Sequence, residues 1–233
     1  MKNILLASTS TLFGGNYLEY LTTHIQDLFH GIEEIVFVPF ARPGGISHDA
    51  YTDKAAQYFK SIGINVVGLH TFNDPINAIQ NAKGFFIGGG NTFLLVKTLY
   101  ESGVFSHLKE KVNNGIPYLG ASAGSNIAGI SIRTTNDMPI AYPPAFDTMG
   151  WVPFNLNPHY LDPIEGLQHN GETRETRIIE FLTQNDTPVV GLREGSWIRV
   201  KNDIATLGGT HTARIFQKDQ AIFELPANSI IKL

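Results

Sequence analysis

The 233-residue chain contains no cysteine, which excludes disulfides, thiolate nucleophiles and Cys-ligated zinc together. Any covalent nucleophile is therefore an oxygen or a nitrogen. Charge is scarce as well: Asp, Glu, Lys and Arg make up 16% of the residues, against about 25% in an average soluble chain. The net charge is −4, and no basic block is long enough to follow a phosphate backbone, so nucleic acid is not an expected partner. Long apolar runs are missing too. None approaches the roughly 20 residues a membrane-spanning helix needs, and the apolar start at residues 1–7 is too short for a signal segment before polar Ser8, Thr9, Ser10 and Thr11. The expected compartment is the cytoplasm, with no membrane partner.

Apolar residues stand at 42%, ample for a buried core. The weakly charged surface is compatible with either a monomer or a homodimer. Five short apolar runs, at residues 3–7, 34–39, 65–69, 84–87 and 116–119, alternate with helical patterns at 17–29, 50–62, 74–81, 92–102 and 105–114. Alternation of this kind implies βαβ units and a parallel sheet. Runs that are continuously apolar imply helices on both faces. After a helix at 172–182, strand-like runs at 188–192, 197–200, 204–207, 213–216 and 221–225 read as an antiparallel meander extending one edge of the same sheet. Nothing between residues 189 and 233 resembles a linker, and residues 1–233 are expected to form a single α/β domain. In such sheets, ligands bind at the carboxyl ends of the strands.

One of those ends carries Gly120-Ala121-Ser122-Ala123-Gly124, a G-x-S-x-G between a strand and a possible helix from residue 125. A serine in this setting sits on a sharp, strained turn that tolerates only small neighbours. The amide of Ala123 would be one oxyanion donor, aided by the dipole of the following helix. Gly88-Gly89-Gly90-Asn91 ends the fourth strand and forms a second glycine turn at the same edge. Phe93 stands where a dinucleotide fingerprint needs its third glycine, and no P-loop Lys-Ser or Lys-Thr pair follows. Gly89 or Gly90 fits better as a second oxyanion donor.

A serine nucleophile needs a base. Of the eight histidines, His24, His30 and His107 fall in or at the end of helical patterns, and His70 ends a strand. His159, in Asn157-Pro158-His159-Tyr160, is the leading candidate, with His169 second. Two loop carboxylates are placed to orient it: Asp137, shortly after the elbow, and Glu194, just past the strand at 188–192. Spacing does not choose between them. A metal site of His159, Asp162, Glu165 and His169 is disfavoured because Pro158 and Pro163 interrupt the helix that would align them.

Six blocks then stand in one order: Gly88-Gly89-Gly90-Asn91-Thr92-Phe93, Gly120-Ala121-Ser122-Ala123-Gly124, Thr135-Asn136-Asp137-Met138-Pro139, Asn157-Pro158-His159, Gly171-Glu172-Thr173-Arg174 and Arg193-Glu194-Gly195-Ser196. In these the chain resembles the peptidase E, or α-aspartyl dipeptidase, family over nearly its whole length. The resemblance implies a three-layer αβα sandwich with a doubly wound, mostly parallel sheet, flavodoxin-like and similar to class I glutamine amidotransferases, with antiparallel C-terminal strands. It implies a serine exopeptidase acting on Asp-Xaa dipeptides without metal or cofactor. By the same resemblance Ser122 is the nucleophile and His159 the base, and Asp137 is slightly preferred over Glu194 as the third member. Arg174 is the expected cation for the substrate's acidic side chain, and Asn91 is a further substrate-binding candidate. Ala121 departs from relatives that carry a larger residue before the serine.

Two other readings remain at this point. One is a related hydrolase on the same elbow, either cyanophycinase-like or an esterase. A standard α/β-hydrolase would not fit, because only 37 residues separate Ser122 from His159. The other is a non-catalytic ligand-binding module of amidotransferase-like fold.

Overall fold

Residues 1–163 and 171–233 are described by a computed structural model. The five apolar runs become strands β1 (Asn3–Ala7), β2 (Glu34–Val38), β3 (Asn65–Gly68), β4 (Phe85–Ile87) and β5 (Tyr118–Ala121), almost wholly buried except for β3 at the sheet edge, which is half-buried. Between them lie α1 (Thr22–Leu28), α2 (His48–Ser61), α3 (Pro75–Asn81), α4 (Thr92–Glu101) and α5 (Phe105–Asn113). Local chemistry starts several of these helices. The side chains of Ser47, Asp74 and Asn91 accept from backbone N–H groups in the first turns of α2, α3 and α4, and Pro75 opens α3, where no N–H is needed.

The chain continues through α6 (Ala123–Asn126), β6 (Asn155–Pro158), α7 (Arg174–Thr183), β7 (Val189–Leu192), β8 (Ser196–Lys201), β9 (Ile204–Gly209), β10 (Ala213–Phe216) and β11 (Phe223–Leu225). One sheet runs β3-β2-β4-β5-β1-β8-β9. Its first five members are parallel, and β8 and β9 are antiparallel additions. Side chains alternate between its faces. Ile4, Leu6, Val36, Phe85 and Tyr118 pack with Leu95, Val96 and Leu99 of α4 and Leu108 and Val112 of α5. Leu5, Phe37, Phe86 and Leu119 pack with Ile25 and Leu28 of α1 and Tyr51 and Phe59 of α2. The expected three-layer αβα sandwich is the observed one.

The C-terminal strands depart from the single meander. Only β8 and β9 extend the main sheet. Strands β7, β10 and β11 join β6 in a second sheet ordered β11-β10-β7-β6, with β6 and β7 parallel. Burial gives the reason. Strand β8 alternates buried with half-buried residues, as an edge extension does, whereas all four residues of β7 are buried and need cover on both faces. Val190 and Leu192 face the main core, while Val189 meets Tyr160, Phe216 and the Ile178 and Leu182 side of α7. No helix among the described residues is long and apolar enough to cross a membrane.

Candidate active site

Parallel pairing brings the carboxyl ends of β4, β5 and β1 together along one edge. Ser122 follows β5 with φ 54° and ψ −110°, a strained conformation of the kind that costs roughly 1–3 kcal/mol and persists only where its surroundings impose it. Two hydrogen bonds to Ala7 O supply that constraint, from Ser122 N at 3.1 Å and from Ser125 Oγ at 2.7 Å. The flanking glycines are required by close approach. A Cβ on Gly120 would lie 2.6 Å from Gly124 O, and one on Gly124 would lie 2.1 Å from Ile87 O. The helix after the serine, α6, is a single turn of four residues, so its dipole adds little and individual amides carry any anion stabilisation here.

His159 follows β6, a strand that no apolar run marks in the sequence, and takes the left-handed conformation with φ 55°. Its Nε2 lies 2.9 Å from Ser122 Oγ and its Nδ1 lies 2.5 Å from Glu194 Oε1. The register explains the meeting. Pro158 pairs with Leu192 across parallel β6 and β7, so His159 and Glu194 leave adjacent strand ends. The two sheets are tied beside this point by Ser8, just past β1 and fully buried. Its hydroxyl donates to Leu192 O at 2.7 Å and accepts from His159 N at 2.8 Å. The sequence reading did not single out Ser8, and no local pattern marks it.

Asp137, the slightly preferred orienting carboxylate, is placed elsewhere. Its Oδ2 accepts from Thr92 N at 2.7 Å, Thr92 Oγ1 at 2.6 Å and Thr135 Oγ1 at 3.2 Å. The hydrogen-bond partner of His159 Nδ1 is Glu194, not Asp137. Glu194 is available because neighbouring Arg193 turns away from it and grips Asp162 and Glu224. Hydrogen bonds from Arg193 hold the Glu224 carboxyl down at about 2.

Gly89 lies against the serine: a Cβ there would be 2.9 Å from Ser122 Cβ, whereas one on Gly90 would strike Ala41 O. Ala123 is the first residue of α6. Asn91 caps α4 through its Oδ1, and its Nδ2 donates to Met138 O at 2.8 Å, so both ends of its amide hold the surrounding loops. Arg174 begins α7 and pairs with neither acidic neighbour, since Glu172 pairs with Arg177 and Glu175 with Arg214. Arg174 Nη1 is buried with no hydrogen-bond partner among the described residues. Burial pushes this guanidinium below its ordinary value, and the nearby Glu194 carboxylate pushes it back up. Among the described residues no group of His, Asp and Glu is arranged to hold a metal. Asp162 is bound to Arg193, and Glu165 and His169 lie outside the described residues.

A family model described as Peptidase family S51 matches residues 4–208. The chain belongs to peptidase family S51. This is a family of serine peptidases, and the G-x-S-x-G serine of this S51 chain is the one hydrogen-bonded to a histidine. The chain is 48% identical over 227 residues to "Peptidase E" of Streptomyces coelicolor, covering 97% of this chain and 92% of that protein. It is 45% identical over 227 residues to "Probable alpha-aspartyl dipeptidase" of Drosophila melanogaster, covering 96% and 93%. Two solved structures share the fold. They are a putative peptidase E protein from Listeria monocytogenes, with TM-score 0.68, 18% identity and coverage of 90% and 99%, and a peptidase from an acI-B1 Actinobacterium, with TM-score 0.76, 15% identity and coverage of 100% and 97%.

Proposed function

We propose that this S51 peptidase is an exopeptidase that hydrolyses dipeptides with N-terminal aspartate and a free α-amino group, through an acyl-enzyme on Ser122. The observation that carries the reading is the unbroken hydrogen-bond path from Ser122 Oγ through His159 to Glu194. An ionised carboxylate only accepts, so Glu194 fixes a proton on His159 Nδ1. That leaves Nε2 to accept the proton of Ser122 as Oγ attacks the Asp-Xaa carbonyl carbon. His159 then returns the proton to the departing amine. Water, deprotonated by the same nitrogen, attacks the ester and releases aspartate, restoring the Ser122 hydroxyl.

The amides of Ala123 and Gly89 are the donors best positioned for the oxyanion, with Gly90 in the same turn. In other acyl-transfer enzymes each such donor is worth about 3 kcal/mol. Arg174 is assigned to the aspartate side chain. It is partly desolvated, its Nη1 is unpaired among the described residues, and its planar fork matches a carboxylate. The name of the Drosophila melanogaster relative, "Probable alpha-aspartyl dipeptidase", supports the choice of an aspartyl dipeptide. The chemistry uses neither metal nor cofactor. Residues 1–233 act as a single peptidase domain, working in the cytoplasm as a monomer or homodimer.

Free aspartate released from Asp-Leu and from N-acetyl-Asp-Leu, by wild type and by Ser122→Ala with EDTA present, tests this directly. Wild type is expected to cleave only the free-amine peptide, and Ser122→Ala to cleave neither. If Asp-Leu is left intact by wild type, or is still cleaved by Ser122→Ala, the proposal is wrong.

A further inference from the structure

Beside Ser122 lies a cavity of about 20 Å³, lined by Thr92, Asn126, Thr135, Asn136, Asp137 and His159 among others. A space of this size admits one water-sized group. Two residues of its wall carry acceptor oxygens that are not fully used. Asn126 is 1% exposed, and its Oδ1 is buried without a hydrogen-bond partner among the described residues. The three donors on Asp137 all reach Oδ2, and among the described residues none reaches Oδ1. A buried acceptor left unpaired is costly, so such an atom points to a donor that arrives from outside.

Charge narrows the identity of that donor. The lining contains no Lys or Arg and one carboxylate, which disfavours an oxyanion or the substrate's acidic side chain and favours a small cation. Arg174 does not line this space, so groups of opposite charge on a substrate would find separate partners. Building on the peptidase reading above, we infer that this cavity is the subsite for the substrate's α-ammonium group, with Asp137 and Asn126 accepting its protons. That group is two bonds from the scissile carbonyl carbon, so a residue attacked by Ser122 must hold its ammonium next to Ser122. An acyl group on that nitrogen would remove its charge and all but one of its protons, so Asp137 and Asn126 favour a free N-terminus. The role also accounts for a carboxylate one residue from Asn136, held firmly by Thr92 and Thr135, yet not bonded to His159.

The test compares kcat and KM for Asp-Leu and for succinyl-Leu, the same peptide without its amine, in wild type, Asp137→Asn and Asn126→Leu. Wild type is expected to favour Asp-Leu by about 10³-fold in kcat/KM, and Asp137→Asn to reduce that preference about 100-fold, mainly through KM, as for truncation of other charged pairs. Asn126→Leu is expected to reduce it about tenfold, the size of a lost neutral hydrogen bond. It carries the same comparison if Asp137→Asn does not fold. An unchanged preference, or equal losses on both substrates, would show that the two residues only support the local structure and would overturn the inference while leaving the peptidase reading intact. Failure of wild type to cleave Asp-Leu would remove both.

Discussion

Glu194→Gln is expected to lower kcat for Asp-Leu about 10³-fold with a much smaller change in KM. Loss of a buried orienting carboxylate costs other serine hydrolases about 10⁴-fold. Here the Glu194 side chain is 45% exposed, and water can partly replace it at His159 Nδ1, so the loss should be smaller. A glutamine amide that turns its NH2 group toward Nδ1 stabilises the wrong imidazole tautomer, with the proton on Nε2, where it cannot receive the Ser122 proton. Steady-state kinetics with Asp-Leu check this, and Asp137→Asn provides the contrast. If the largest fall in kcat belongs to Asp137→Asn and Glu194→Gln is near wild type, the assignment of the two carboxylates is reversed.

Arg174→Ala is expected to reduce the preference for Asp-Leu over Ala-Leu by about 100- to 1,000-fold in kcat/KM, the range for removing one partner of a desolvated charge pair. The effect should fall on the aspartyl peptide alone, because alanine presents no carboxylate to the guanidinium. Arg174→Lys should recover only part of it, since an ammonium is a point charge without the two-pronged donor geometry. Rates on the two peptides measured side by side decide the matter. Equal rate changes on both would remove Arg174 from the specificity pocket.

The main sheet was legible because its chemistry is local. Helices cover both faces, so the β1 to β5 segments read as continuous apolar runs, and the glycines around Ser122 announced a crowded turn that the structure shows at Gly120 and Gly124. Strand β6 was hidden because two of its four residues are asparagines and one is proline. Those asparagines are buried, since distant groups satisfy them: Asn155 exchanges hydrogen bonds with Ser131, and Asn157 Nδ2 donates to Thr134 O. No spacing rule encodes partners more than 20 residues away. The same gap hid the choice between Asp137 and Glu194, which turns on the parallel pairing of β6 with β7. It also hid Ser8, whose role exists only where the two sheets meet. The apolar run that became β7 looked like those of β8 and β9, and only its burial on both faces separates it from the main sheet.

Ser122 as a nucleophile activated by His159 is the central claim, and the most direct measurement is peptide mapping by mass spectrometry after treatment with a serine-directed fluorophosphonate. The account predicts a single stoichiometric adduct on the peptide containing Ser122, formed slowly or not at all in His159→Ala. An unlabelled Ser122, or an adduct that forms equally fast without His159, would contradict it.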